Sequence, residues 1–256
     1  LGITKFLHTV TSGYTISALF VIGISAWFLI KKRHILLAKK SIVVASAFGL
    51  ITSVFLLLSG DESAYFVAQK QPMKLAAMEG LYKGEKNAGL VAAGILNPAK
   101  KLGDDVDQFL LEIKVPYALG IMANRELDSF TPGIDDILYG NSEHGIMSVE
   151  EKMAKGKVAI EALKNYKEAK KTNDESLMKT SLSNLESNLN FLGYGYLKDA
   201  KEAVPPVGLT FYSFHIMVAL GTYFIALFAI TLYLNLSKKY KKVSFPLPLF
   251  KPFNLL

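Results

Sequence analysis

The stretch FLHTVTSGYTISALFVIGISAWFLI, residues 6–30, contains no Asp, Glu, Lys or Arg over 25 positions. A helix needs roughly 18 to 20 apolar residues to cross about 30 Å of hydrocarbon, so this run is long enough to span. It also lacks the strict alternation of a barrel strand, and in lipid only helices and closed barrels satisfy their own backbone. Two further uncharged runs, 41–59 and 203–237, repeat the pattern. Three such runs in 256 residues, with 51% hydrophobic residues and a mean hydropathy of +0.28, predict an all-α integral membrane protein of three transmembrane helices. Three core helices of a soluble protein are the weaker alternative.

Charge placement divides the remainder. All 22 acidic residues lie between Asp61 and Glu202, a segment with net charge −4. Outside it stand eleven basic residues and no acid, ten of them in Lys31–Lys40 and Lys238–Lys251, with Lys5 apart from both clusters. The positive-inside rule then puts both clusters in the cytoplasm and residues 61–205 on the opposite side. The high pI, near 9.3, reflects this topology and contact with anionic headgroups, not nucleic acid. The absence of cysteine excludes disulfides, iron–sulfur clusters and thiolate chemistry. A chain that starts at Leu1 and enters a span almost at once reads as the middle of a longer protein.

The expected organisation is residues 1–60 as two spans joined by a basic turn, 61–205 as a large, mainly helical extracytoplasmic domain, 206–237 as the third span and 238–256 as a basic tail bearing Phe245, Phe250 and Phe253. The second span is expected to end near Ser59. Within the domain, Pro72 opens a helix of good formers through Glu79. Ser148 and Glu151 form a capping box for a helix to Lys171, and Val115–Met122 is a short apolar piece. Leu182, Leu185, Leu189 and Leu192 predict a second amphipathic helix, with Asn173-Asp174 making the turn of a hairpin.

Two of the four histidines, His8 and His215, fall inside spans, where ionisable groups are expensive and point to function. His8 is 22 residues before Ile30, about 33 Å along a helix, and Met217 is 19 before Leu236, about 28 Å. An imidazole and a thioether at matched depth on two helices are what a six-coordinate b-type haem requires. His215 competes with Met217 for that role, because residues two apart point to nearly opposite sides of a helix. Gly13, Ser17 and Ala18 near His8 would let a flat macrocycle or another helix approach. His34 and His144 read as surface residues.

The stretches Leu7-His8-Thr9-Val10-Thr11-Ser12-Gly13-Tyr14, Gly60-Asp61-Glu62-Ser63, Lys74-Leu75-Ala76-Ala77-Met78-Glu79 and Phe214-His215-Ile216-Met217-Val218 occur in this order. Together they resemble the central part of subunit I of the cytochrome bd-type ubiquinol or menaquinol terminal oxidases, over essentially the whole chain. The resemblance implies that His8 and Met217 ligate a low-spin b-type haem, and that Lys74 and Glu79, displayed on the outer loop, bind and oxidise quinol. A cation can hold the deprotonating hydroxyl and a carboxylate can take a proton. Five residues apart, the two do not share a helix face, so they read as separate handles. Asp61 and Glu62, at the mouth of the second span, are close to where a quinol headgroup would sit, with capping of the helix end and ordinary surface charge as the alternatives.

The family often has Arg two positions before the Met, where this chain has His215; either the haem potential differs or a protonated His215 meets a propionate. The resemblance further implies a quinol:oxygen oxidoreductase of the respiratory chain in the bacterial cytoplasmic (inner) membrane. Its partners would be membrane quinol, lipid, a second oxidase subunit and the remaining helices of subunit I. The other haems, b and d, would be held by those helices and not by this chain, so the chain alone is expected to be inactive. Two alternatives stand beside this reading. One is a membrane receptor with an extracytoplasmic helical sensor domain. The other is a diheme b-type cytochrome, which needs more paired intramembrane histidines.

Overall fold

The computed structural model describes residues 2–237; the expected tail at 238–256, with its three phenylalanines, lies outside them. The chain separates into two compact units, one of Gly2–Gly60 with the residues from Ala219 onward, the other Asp61–Val218. Among the described residues, three helices are long and apolar enough to cross a membrane, as the uncharged runs predict. They are α1 (Gly2–Ile30), α2 (Ile35–Lys70) and α8 (Val207–Leu236).

In the first unit, small and hydroxylated residues sit where helices meet. Thr15 Oγ1 donates to Thr52 Oγ1 at 3.2 Å, and Ser53 Oγ bonds back to the Gly49 carbonyl. Gly49 lies under the buried ring of Phe228: a Cβ there would come within 2.4 Å of the ring. Without a hydrophobic drive between helices in lipid, such close approach supplies the packing. The basic turn between α1 and α2 reverses the chain with Lys32 and His34 at positive φ.

The helix α2 does not stop near Ser59 but runs on to Lys70. Hydropathy marks where the apolar stretch ends, not where the helix ends, and Ala64 to Lys70 contains no breaker. The helix closes one residue before Pro72, whose ring disfavours helical geometry in Gln71. Pro72 then occupies the first turn of α3 (Pro72–Glu79), and Gly80 closes it at φ 63° with its N–H on the Ala76 carbonyl.

The second unit is mostly helical, as expected, but also holds two small antiparallel ladders the sequence did not suggest. The strand β1 (Glu85–Lys86) pairs with β4 (Phe130–Thr131), and β2 (Leu90–Leu96) with β3 (Phe109–Val115). The run Val91-Ala92-Ala93-Gly94 carries no β-branched alternation, and the pairing is between segments far apart in sequence. The expected apolar piece 115–122 divides: Val115 ends β3, and α4 (Ala118–Asn124) follows.

Two cores hold α3. Met73, Ala76 and Ala77 pack against Ile134, Ile137 and Leu138 of α5 (Ile134–Tyr139) and against Val149 and Met153 of α6 (Val149–Thr172). Leu75 and Met78 pack with Val67, Leu119 and Ala123. The capping box at Ser148 forms on both sides: its hydroxyl accepts from the Glu151 amide, and its amide donates to the Glu151 carboxylate. The hairpin turn also matches, with Asn173 left-handed and Asp174 capping α7 (Glu175–Asn188). The leucine pattern, however, does not continue as α-helix, since residues Leu189–Tyr196 tighten into a 3-10 helix. There Gly195 meets Gly156 backbone to backbone, closer than any side chain would permit.

Candidate functional site

The short helix α3 carries Lys74 and Glu79 into different surroundings. Lys74 is exposed, while Glu79 is buried to 1% exposure beside residues that pack at the helix end. Glu79 is therefore not displayed on the surface. A Cβ at the next residue, Gly80, would lie 3.0 Å from both Leu96 Cδ2 and Phe109 Cζ and 3.3 Å from Phe211 Cδ2. Apolar side chains thus close on the end of α3, and neither carboxylate oxygen of the buried Glu79 has a hydrogen-bond partner among the described residues. Desolvation pushes the Glu79 pKa up to about 7; the Val91 backbone N–H nearby pulls the other way but does not reach hydrogen-bond geometry.

Val91, which carries no signal in the sequence, stands near this carboxyl and is bonded to α8. Its carbonyl oxygen lies 2.8 Å from His215 Nε2, while His215 Nδ1 lies 2.9 Å from the Phe211 carbonyl. The imidazole also packs on the Phe211 ring at 4.0 Å. Both ring nitrogens thus face backbone acceptors, and contact of His215 with a propionate would require release of one of them. The Tyr212 hydroxyl accepts from the Leu96 amide at 3.1 Å, a second tie between β2 and α8.

A third group gathers on the part of α2 that the sequence placed outside any helix. Arg125 Nη2 reaches Asp61 Oδ2 at 2.7 Å and Glu62 Oε2 at 3.5 Å, with its guanidinium over the Tyr65 ring. Asp61 and Glu62 are mid-helix, so they do not cap α2. Arg125 itself holds φ 59° as the closing residue of α4, and Gln69 Nε2 donates to the Ala123 carbonyl. Arg125 is the one arginine in the acidic segment, a signal in the sequence that could have marked it.

Of the two expected haem ligands, His8 has Nδ1 3.1 Å from Ser59 Oγ, which orients the ring and leaves Nε2 outside that bond. Around Gly13, nothing lies within 4 Å of where a Cβ would stand. Met217 is half exposed. An imidazole oriented by a hydroxyl and a thioether are each a donor type that a haem iron accepts. Among the described residues, no three His, Asp or Glu side chains gather to hold a metal ion directly. His34 and His144 are both exposed, as expected; His144 stacks on Phe130 with ring centres 3.6 Å apart.

Comparison with known proteins narrows these readings. Residues 2–253 match the family described as cytochrome bd terminal oxidase subunit I. The chain is 31% identical over 241 residues to the cytochrome bd-II ubiquinol oxidase subunit 1 of Escherichia coli strain K12, covering 92% of this chain and 45% of that one. It is 30% identical over 148 residues to the cytochrome bd ubiquinol oxidase subunit 1 of Bacillus subtilis strain 168, covering 55% and 30%. The chain thus spans less than half the length of these relatives. Among solved structures, the bd oxidase from Geobacillus thermodenitrificans is similar with a TM-score of 0.47 and 20% identity, over 91% of this chain and 55% of that one.

Proposed function

Because the chain belongs to the cytochrome bd terminal oxidase subunit I family, we propose that it is the quinol-oxidising, low-spin b-haem-binding portion of a membrane quinol:oxygen oxidoreductase. The observation that carries this reading is Glu79. A carboxyl buried without a partner, with a pKa of about 7, is poised to take a proton near neutral pH. Such groups are rare in purely structural positions, because an unpaired buried charge destabilises the fold.

In this reading quinol oxidation releases two protons and two electrons. Lys74, exposed on the same short helix, holds the quinol oxygen as its proton leaves. Glu79 accepts a proton once the substrate or a water reaches its covered carboxyl. His8 Nε2 and the Met217 thioether would hold the iron of a low-spin b-type haem, which when bound would supply one-electron acceptance. Ser59 fixes the His8 ring, and His215 supports the arrangement by tying β2 to the turn of α8 that precedes Met217. Residues 61–205 are the extracytoplasmic quinol domain, supported by the lysine clusters that flank the spans on the other side. Haems b and d, the second oxidase subunit and the remaining helices of subunit I complete the assembly in the bacterial cytoplasmic membrane.

A reduced-minus-oxidised spectrum of membranes holding the assembled protein tests the haem assignment. Met217→Leu keeps the side-chain volume and removes the sulfur, so the low-spin b signal should be lost or shifted. An unchanged spectrum would overturn the assignment.

A further inference from the structure

The outer face of the β2–β3 ribbon is apolar. The register sets Ala93 opposite Ile113 and Ile95 opposite Leu111, and directly paired residues share a face. At the end of the ribbon Val115 pairs with Leu90, which itself packs against the core around Val67 and Leu119. Two irregularities, between Val91 and Ala93 and between Ile95 and Leu96, send Val91, Leu96 and Phe109 to the other face. That second face packs on Phe211 of α8. The first is left uncovered among the described residues: Leu111 is 65% exposed and Ile113 63%, with Ile95 and Val115 near half. Lys114 and Glu112, the charges of β3, pair with each other at 3.4 Å and belong to the opposite face, so the outer face carries no charge.

Its depth identifies what covers it. The ribbon is tied to α8 at Phe211, Tyr212 and His215. From His215 to the last residue of α8, Leu236, is 21 residues. At 1.5 Å per residue this is about 32 Å, one hydrocarbon thickness. The residues of α8 that hold the ribbon are therefore one hydrocarbon thickness along the helix from its last residue. Leu209 and Ile216, apolar residues of the same helix, are exposed as well, and so are Tyr117 and Tyr212, the residue type that gathers at membrane interfaces. An uncharged aliphatic face without the aromatic and arginine anchors of protein interfaces matches lipid better than a protein partner.

We propose that the outer face of the β2–β3 ribbon rests in the bilayer, with Ile95, Leu111, Ile113 and Val115 in the boundary between headgroups and acyl chains. Because this face is the back of the strand whose Val91 touches both Glu79 and His215, the lipid surface then holds that strand from outside.

The chain has no cysteine, so single nitroxide labels can be placed at Leu111, Glu112, Ile113 and Lys114 in the membrane-assembled protein, with cysteines of other chains replaced. Labels at Leu111 and Ile113 should collide with oxygen, which concentrates in lipid, severalfold more than with a water-soluble nickel chelate, and labels at Glu112 and Lys114 should not. Nickel access at Leu111 and Ile113 would overturn the proposal, and shielding from both reagents, the signature of a protein cover, would overturn it equally. The unsubstituted protein provides a second measurement that no folding defect can spoil. A phosphatidylcholine bearing a photoactivatable diazirine near its headgroup should form adducts within residues 110–115. Adducts on the spans alone would refute the docking.

Discussion

His215 Nε2 lies 2.8 Å from the carbonyl oxygen of Val91, so a strand of the polar segment is fastened to a membrane-spanning helix two residues before Met217. Val91 is buried, and removing the imidazole leaves its carbonyl without that partner. His215→Ala should destabilise the Asp61–Val218 unit by about 1–3 kcal/mol, the usual effect of leaving a buried acceptor unsatisfied. Hydrogen exchange would place the loss: amides of β2 should exchange faster while those of α6 stay protected. Uniform protection would show that the bond contributes nothing.

The buried carboxyl of Glu79 sets the sign of a pH dependence. Its folded pKa, about 7, lies above the unfolded value of 4.5, so the folded state holds the proton more tightly. The stabilisation is fully present below pH 4.5 and is lost progressively as pH rises to about 7, an effect of roughly 3 kcal/mol. Glu79→Gln keeps the shape without the charge, so its stability should be flat across that window, measured by denaturation from pH 4.5 to 8. For quinol oxidation the direction reverses, because the base must be ionised to accept a proton. The wild-type rate should climb through about pH 7, and the Gln variant should be slow throughout.

Lys74 separates from Glu79 in the kinetics. It is exposed, and its loss leaves no buried group unpaired, so Lys74→Ala should melt like the wild type. If it holds the quinol oxygen, the KM for quinol should rise roughly tenfold, the effect of about one charged contact. A variant with unchanged KM and kcat would remove Lys74 from the site while leaving Glu79 in it.

Much of this was written in the sequence, and what was not has physical reasons. The capping box at Ser148–Glu151 and the Asn173-Asp174 turn are local chemistry, and both formed as read. Charge-free runs locate spans because a bilayer is a uniform solvent. They do not locate helix ends, so the continuation of α2 to Lys70 was missed, and with it the mid-helix place of Asp61 and Glu62 beside Arg125. The β2–β3 ladder pairs Leu90 with Val115 across 25 residues, and its sequence has no period-two alternation to betray it. The burial of Glu79 was equally hidden, since the apolar residues beside the end of α3, Leu96, Phe109 and Phe211, come from three distant parts of the chain.

The contact between Gly156 and Gly195 fixes the 3-10 segment on α6. A Cβ at Gly156 would stand 2.3 Å from the Gly195 nitrogen and 2.5 Å from the Phe191 carbonyl oxygen, both backbone atoms that cannot rotate aside. Gly156→Ala should therefore destabilise the unit by about 2 kcal/mol or more, as overpacking does, despite the higher helix propensity of alanine. Limited proteolysis should then cut first within 189–203. Higher stability in the alanine variant would mean that the two backbones are not in contact.

Ser59 gives the haem assignment a test finer than loss of a ligand. Its hydroxyl oxygen lies 3.1 Å from His8 Nδ1, and a partner on the far nitrogen fixes both the orientation and the basicity of a ligating imidazole. Ser59→Ala should preserve the haem and its low-spin spectrum, because both axial ligands remain. It should shift the midpoint potential measurably and weaken haem retention roughly tenfold, by the usual effect of removing such a partner. Ser59→Thr, which retains the hydroxyl, should restore both. A potential that stays fixed in Ser59→Ala, in a protein whose spectrum responds to Met217→Leu, would show that the bond to Ser59 packs His8 without tuning it.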